Sequence, residues 1–210
     1  MTDFYKGDAK VLVLGAGTAD TMRIGLSPEG QPPPPKNFSE AFKQENIWRV
    51  DINPACKPKI VHDLEVFPWP LPLNYFDEIH AYEVLEHLGS LGDYKFFFTL
   101  WRQMWHLLKP QGIVAASTPW WQSVWAWQDP GHRRVYSPEI LVYLNQDEYV
   151  KQIGRTSMTD YRAEWPPPYD FKCRYFEMTG DKEGVKAEDP LTAGFSFCLQ
   201  KEEWKGEDPN

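Results

Sequence analysis

Val11-Leu12-Val13-Leu14 is an unbroken apolar run that stops at Gly15-Ala16-Gly17. A strand with one wet face alternates apolar and polar residues. An unbroken run therefore predicts a parallel strand covered on both faces, from Lys10 to Gly15, and places the chain in the α/β class. Further strands are expected at Asn46 to Asp51, Lys59 to His62, Phe76 to Tyr82 and Gly112 to Ser117, with a final pair at Phe171 to Thr179 and Gly194 to Gln200.

The connections carry their own signals. Phe97, Leu100, Trp101, Met104 and Leu108 recur at helical spacing, which predicts an amphipathic helix from Tyr94 to Leu108 covering the sheet and stopped by Lys109-Pro110-Gln111-Gly112. Ser137-Pro138-Glu139 reads as a helix start, with Ser137 as N-cap and Pro138 at the first helical position, and that helix should reach about Asn145. Between Asp20 and Glu45 the run Pro32-Pro33-Pro34-Pro35 cannot continue a helix. The first crossover should accordingly be truncated or displaced, with a projecting insertion over about 21–45. The polar stretch 180–193 joins the last two strands, and 201–210 reads as a flexible, solvated tail. Residues 1–200 are expected to form one domain.

A formal net charge of -8 argues against duplex nucleic acid as a default partner, because such affinity rests on neutralising phosphates. Arg133, Arg134, Lys151 and Arg155 are too dispersed to make a basic patch and read as solvated surface. Cys56, Cys173 and Cys198 form no CxxC pair, so a reducing cytoplasm is the expected home. Met1 to Lys10 is polar and runs straight into the first strand, and no apolar run approaches a membrane span, so neither a signal peptide nor a membrane partner is expected.

The chemistry concentrates after the Phe76–Tyr82 strand, in Glu83-Val84-Leu85-Glu86-His87. Ligands of an open parallel sheet bind outside the carboxyl ends of its strands, so Glu83, Glu86 and His87 fall at the ligand edge. Spacing of i, i+3 and i+4 would set them on one face of a helical turn. Beyond the fifth strand, Trp120, Trp121, Trp125 and Trp127 crowd ahead of Asp129-Pro130-Gly131-His132. Such aromatics either close a core or wall a flat or sugar-like acceptor or an unpaired base.

Taken in order, Val11 to Ala19, Trp48 to Asp51, Ile60 to Leu64, Phe76 to Leu88 and Leu107 to Ala115 resemble the class I S-adenosylmethionine-dependent methyltransferases. The resemblance runs from about Lys10 to about Leu144. It implies a Rossmann-like, doubly wound, mostly parallel seven-stranded sheet with an antiparallel C-terminal strand. It also implies S-adenosylmethionine as cofactor. Gly15, Ala16 and Gly17 match the loop that approaches its methionine part, Asp51 and the adjoining Ile52 the ribose site, Asp63 and Leu64 the adenine site, and Glu83 faces the cofactor. The family's acidic residue before the loop is Val13 here and its third glycine is Ala19; Asp20 offers a substitute carboxylate. Asp51 lies further on than the roughly 20 positions usual in dinucleotide folds, which the Pro-rich insertion explains.

Glu83-x-x-Glu86-His87, with His132 from the loop after the fifth strand, is similar to the motif of metal-assisted O-methyltransferases. The similarity implies Mg²⁺, Mn²⁺ or Zn²⁺ on Glu83, Glu86, His87 and His132. Many methyltransferases of this class carry the same run without a metal. In that reading His87 or His132 is the general base. O-methylation of a small or carbohydrate-like acceptor is the expectation. RNA 2′-O- or N-methylation, or a non-catalytic binding module that keeps the fold, are the alternatives, and nothing in the sequence fixes an oligomeric state.

Overall fold

Val11–Leu14 is strand β1, and all four side chains are buried, as the unbroken run requires. The structure, a computed structural model, describes residues 8–22, 36–180 and 193–206. The four-proline run and the connection 181–192 lie outside the described residues.

In chain order β1 is followed by β2 (Thr21–Met22), β3 (Lys36–Asn37), the single helical turn α1 (Phe38–Ala41), β4 (Ile47–Asp51), β5 (Ile60–Val61) and β6 (Phe76–Tyr82). Then come α2 (Tyr94–Leu107), β7 (Leu108–Pro119), α3 (Trp125–Gln128), α4 (Pro138–Leu141), α5 (Gln146–Gln152), β8 (Tyr169–Gly180) and β9 (Ala193–Glu203). Seven strands form one sheet in the order β5-β4-β1-β6-β7-β9-β8. Strands β5, β4, β1, β6 and β7 are parallel, while β9 runs antiparallel between β7 and β8. This is the expected doubly wound, Rossmann-like architecture.

Among the described residues the two faces are covered unequally. One carries the main core, where Leu12, Leu14, Ile79, Ala81, Val114 and Ala116 meet the Phe97, Leu100, Trp101 and Met104 stripe of α2. Asp93 caps that helix by accepting from the Phe96 amide at 3.0 Å. Each fully buried Leu, Ile, Val, Phe or Met side chain of this core is worth about 1.5–3 kcal/mol. On the other face the described clusters are small, Val11, Val13, Phe38, Phe42 and Ile47 in one and Ala115 with Cys198 in another. Among the described residues the first of these is covered by α1, four residues long. The antiparallel pair β2–β3 and the Phe38 amide donating to Asp20 O at 2.7 Å anchor this turn.

The C-terminal expectation needs correction. Strand β9 continues through Glu203, and Lys201 is 2% exposed rather than part of a solvated tail. Its ammonium donates to Leu108 O at 2.7 Å and Asn74 Oδ1 at 3.2 Å, and lies 3.8 Å from the Trp105 ring. Oxygens and a π-face replace its water, and burial still pushes its pKa down to about 8. No helix among the described residues is long and apolar enough to cross a membrane.

Candidate active site

The glycine loop leaves β1 with Gly15 and Gly17 both at positive φ, 57° and 52°. Glycine at position 15 is obligatory: an added Cβ would stand 2.3 Å from Val84 Cγ2. Around Gly17 there is open space, so its backbone is approachable. Asp51, at the end of β4, is 9% exposed and accepts from the Gly17 amide at 2.8 Å and the Asn53 amide at 2.8 Å. The aspartate expected at the ribose site thus also pins the loop. Asp63 accepts from the Glu65 amide at 2.9 Å, a turn-closing contact. Ile52 is 64% exposed, whereas Leu64 is buried in the main core. Asp20 is engaged with Arg49 and Ser39, tying β4 to α1.

At the carboxyl end of β6 the chain turns sharply, with Glu83 at φ 53°, a region that costs a non-glycine residue free energy. The Glu83 amide donates to Ser117 O at 2.9 Å, and Glu83 Oε1 accepts from Ser117 Oγ at 2.7 Å. This strain replaces the expected helical turn: only Leu85–His87 is helical, as one 3-10 turn. Glu86 and His87 sit on it, while Glu83 is held back against β7.

His132 joins them from the loop 129–134. The amides of Arg133 and Arg134 both donate to Glu86 O, at 2.8 and 3.0 Å. His87 Nδ1 donates to Gly131 O at 3.1 Å, and Arg133 Nε donates to His87 O at 3.0 Å. Arg134, buried, donates to Ser90 O and Asp93 O at 2.7 Å each and lies over Phe97. Arg133 is paired with Glu65, whose carboxyl it holds below its ordinary value and which also accepts from the Gly89 amide. The two arginines expected on a solvated surface are therefore the clasp of the site. Arginine suits this role because its rigid fork reaches several carbonyls at once.

The clasp brings ligand atoms of Glu86, His87 and His132 within 4.8 Å of one another, and Glu83 is outside that set. The two imidazole rings cross at 71° with centroids 4.7 Å apart. His132 Nε2 is 4.0 Å from both Glu86 Oε1 and Asp129 Oδ2, and His132 Nδ1 is buried without a hydrogen-bond partner. One carboxylate and two imidazoles, one with an unsatisfied nitrogen, are a donor set that suits a divalent ion of the borderline class.

Two cavities take lining residues from the end of β6. One of about 740 Å³ is lined by Glu83, Glu86, His87, Pro119, Trp125, Gln128, Asp129, Pro130, His132 and Gly194. The other, about 340 Å³, is lined by Val13, Leu14, Gly15, Ala16, Ala19, Thr21, Phe38 and Tyr82. The tryptophans divide between core and cavity. Trp120 is buried against Phe195, which is packing, while Trp125 lines the larger cavity and Trp121 and Trp127 are exposed. Sequence reasoning missed Ser117, Asp129, Glu65 and Tyr82 as neighbours of the site. Asp129, three residues before His132, was the one with a local signal.

Neither a protein-family model nor a curated protein matches the sequence. Solved structures do. A S-adenosylmethionine-dependent methyltransferase from Archaeoglobus fulgidus is 18% identical with a TM-score of 0.54, over 94% of this chain and 88% of that one. One from Methanosarcina mazei is 15% identical with a TM-score of 0.52, over 95% of each chain. The N-methyltransferase NodS from Bradyrhizobium japonicum, in complex with S-adenosyl-L-homocysteine, is 16% identical with a TM-score of 0.50, over 92% and 78%. Strand order, antiparallel β9 and these likenesses agree that the chain has the fold of the S-adenosylmethionine-dependent methyltransferases.

Proposed function

We propose that the protein is a methyltransferase that moves the methyl group of S-adenosylmethionine to an oxygen of a small or carbohydrate-like acceptor. One observation carries this reading: consecutive residues line the two cavities, Tyr82 the one at the glycine loop and Glu83 the one holding His87 and His132. A donor seated on Gly15, Ala16, Gly17, Asp51, Ile52, Asp63 and Leu64 would present its sulfonium toward the corner where the acceptor cavity begins. The neighbour with bound S-adenosyl-L-homocysteine supports the same cofactor here.

The reaction asks little covalent chemistry of the protein. The acceptor oxygen forms a bond to the methyl carbon as the carbon–sulfur bond breaks, and the sulfur keeps that electron pair and becomes a neutral thioether. The hydroxyl proton must go to a base. His87 suits this role, since its Nδ1 is pinned on Gly131 O and Nε2 is left as proton acceptor. His132, between Glu86 and Asp129, is the second candidate, because carboxylates stabilise the imidazolium it would become. Trp125 offers the acceptor a flat wall. Alignment of the oxygen with the methyl group supplies much of the rate. A Mg²⁺, Mn²⁺ or Zn²⁺ ion held by Glu86, His87 and His132, with Glu83 beside them, would supply Lewis acidity to the acceptor oxygen.

Calorimetric titration with S-adenosyl-L-homocysteine tests the reading, and absence of binding in the low-millimolar range sinks it. Excess EDTA separates the two forms of the chemistry. Lost turnover with retained cofactor binding supports the ion, and full turnover supports histidine alone. A nitrogen acceptor is the second reading. Glu83, Glu86 and Asp129 bring three carboxylates to one cavity beside Trp125, which suits an ammonium group. A panel of matched alcohols and amines decides between them.

A further inference from the structure

The sheet ends differently on its two sides. Its β5 edge is two residues long, too short to template another strand, whereas β8 runs for twelve residues, and among the described residues no strand pairs with its outer side. Natural edges are blunted by shortness, proline, charge or a bulge, because their backbone groups otherwise pair with any extended chain. Strand β8 has a bulge at Arg174, where the register to β9 shifts between Cys173 and Tyr175, and after it Tyr175 to Gly180 pair regularly.

The bulge sorts the side chains by face. Before it Phe171 and Cys173 lie opposite Lys201 and Leu199, on the main-core face; after it Phe176 and Met178 take that face, opposite Phe197 and Phe195. Arg174 and Tyr175 both fall on the other face: Arg174 Nε donates to Gln200 Oε1 at 2.8 Å, and Tyr175 packs on Ala115 and Cys198. Glu177 follows them there by alternation. Phe176 is 55% exposed and Met178 40%, so two large apolar side chains stand in solvent along this edge. Beside them lies a groove of about 370 Å³ whose lining includes Pro138, Leu141, Val142, Phe171, Cys173 and Phe176.

An antiparallel copy of the same strand matches this edge residue by residue. When β8 meets itself about a two-fold axis at Phe176, side chains that stand opposite share a face. Phe176 then faces Phe176 of the second copy. The bulge sets Arg174 and Tyr175 together against Glu177 of the second copy, a cation against a carboxylate on both sides of the axis. Past the bulge Cys173 meets Met178 of the second copy, whose unbranched chain can fill the irregular groove. An axis at Glu177 would instead set two carboxylates face to face, and one at Met178 would take Glu177 away from Arg174.

We propose that two copies of this chain pair antiparallel through β8, with Phe176 at the two-fold axis and the groove beside α4 taking Met178 of the second copy. The pairing is independent of the acceptor and of the chemistry at Glu86, His87 and His132.

Sedimentation equilibrium of the full chain from about 1 μM to about 1 mM measures the association. A reversible monomer–dimer equilibrium is expected in that range. Glu177→Arg, which brings like charges together on each side of the axis, should weaken it about tenfold, and Glu177→Arg combined with Arg174→Glu should restore it to within about threefold. The register is read by Met178→Cys. Its thiol should join Cys173 of the second copy on mild oxidation and give a covalent dimer, because directly opposed Cα atoms lie about 4.5–5.5 Å apart, inside disulfide range. Within one chain the two positions are about 15 Å apart along the strand, out of reach. Adding Cys173→Ser should abolish the cross-link. A wild type that stays monomeric throughout overturns the proposal and leaves the edge to the chain of another protein. A dimer indifferent to Glu177→Arg, or a Met178→Cys protein that gives no cross-link through Cys173, overturns it as well, since the copies then meet elsewhere. The cross-link keeps both charges in place, so it decides the matter even where the charge-swapped protein fails to fold.

Discussion

The two halves of the site are built in opposite ways. The glycine-loop half is local: β1 runs into Gly15, and Asp51 on the neighbouring strand catches the Gly17 amide. The histidine half is assembled at a distance, with a loop more than forty residues downstream folded back onto Glu86 and His87 by backbone bonds and two arginines. On the proposed reading, the histidine half can lose its chemistry while the glycine-loop half still binds the cofactor.

The sharpest way to break the contrast is Gly15→Ala. It forces a Cβ into Val84 at positive φ, so it should destabilise the whole domain by about 2–5 kcal/mol. Thermal unfolding checks this, and a variant as stable as wild type would show that the loop is not fixed by Val84. Next comes Arg134→Ala, which strips Ser90 O and Asp93 O of a buried cationic donor. A cost of about 2–3 kcal/mol is expected, with faster amide exchange in 129–134 and unchanged affinity for S-adenosyl-L-homocysteine. Weakened cofactor binding in that variant would erase the distinction between the halves.

Asp51→Asn probes the other side. It should weaken S-adenosyl-L-homocysteine at least tenfold, about 1.4 kcal/mol, and leave exchange in 129–134 as in wild type. If it binds as tightly as wild type, the ribose assignment is wrong and Asp51 serves only the Gly17 and Asn53 amides.

Glu65→Gln should have the smallest effect, within about 1 kcal/mol, because its pairing with Arg133 is half open to solvent. The sign of its pH dependence is definite. Arg133 depresses the folded-state pKa of Glu65, so the pair contributes above the ordinary value of 4.5 and its contribution is lost as pH falls through the lower folded value. Wild type and variant should therefore differ at neutral pH and converge in acid. A gap that widens in acid would contradict the pairing.

Legibility in the sequence follows the same division. Val11–Leu14, the glycines and the α2 stripe carry short-range patterns, and the Pro-rich run announces a truncated or displaced first crossover, whose described helical part is the four residues of α1. Glu86, His87 and His132 are readable by residue type. Their clasp is not: Arg134 acts on carbonyls of Ser90 and Asp93, which no side-chain pattern encodes. Spacing alone cannot reveal a left-handed residue, so Glu83 reads as part of a helical turn that it does not join. Lys201 reads as tail because a charge in a polar stretch looks solvated until Leu108 O and Trp105 enclose it.

Strand β9 lies between β7 and β8, and β8 touches the sheet only through it. During synthesis, then, β8 emerges from the ribosome before the strand that will attach it exists. Until residues 193–203 follow, Phe171 lacks Phe195 and Phe197 on the adjoining strand, and β7 offers an open edge to any extended chain nearby. Nascent chains arrested near residue 190 should accordingly be captured by chaperones and cut readily by proteases, whereas chains released past Glu203 should close the sheet and resist both.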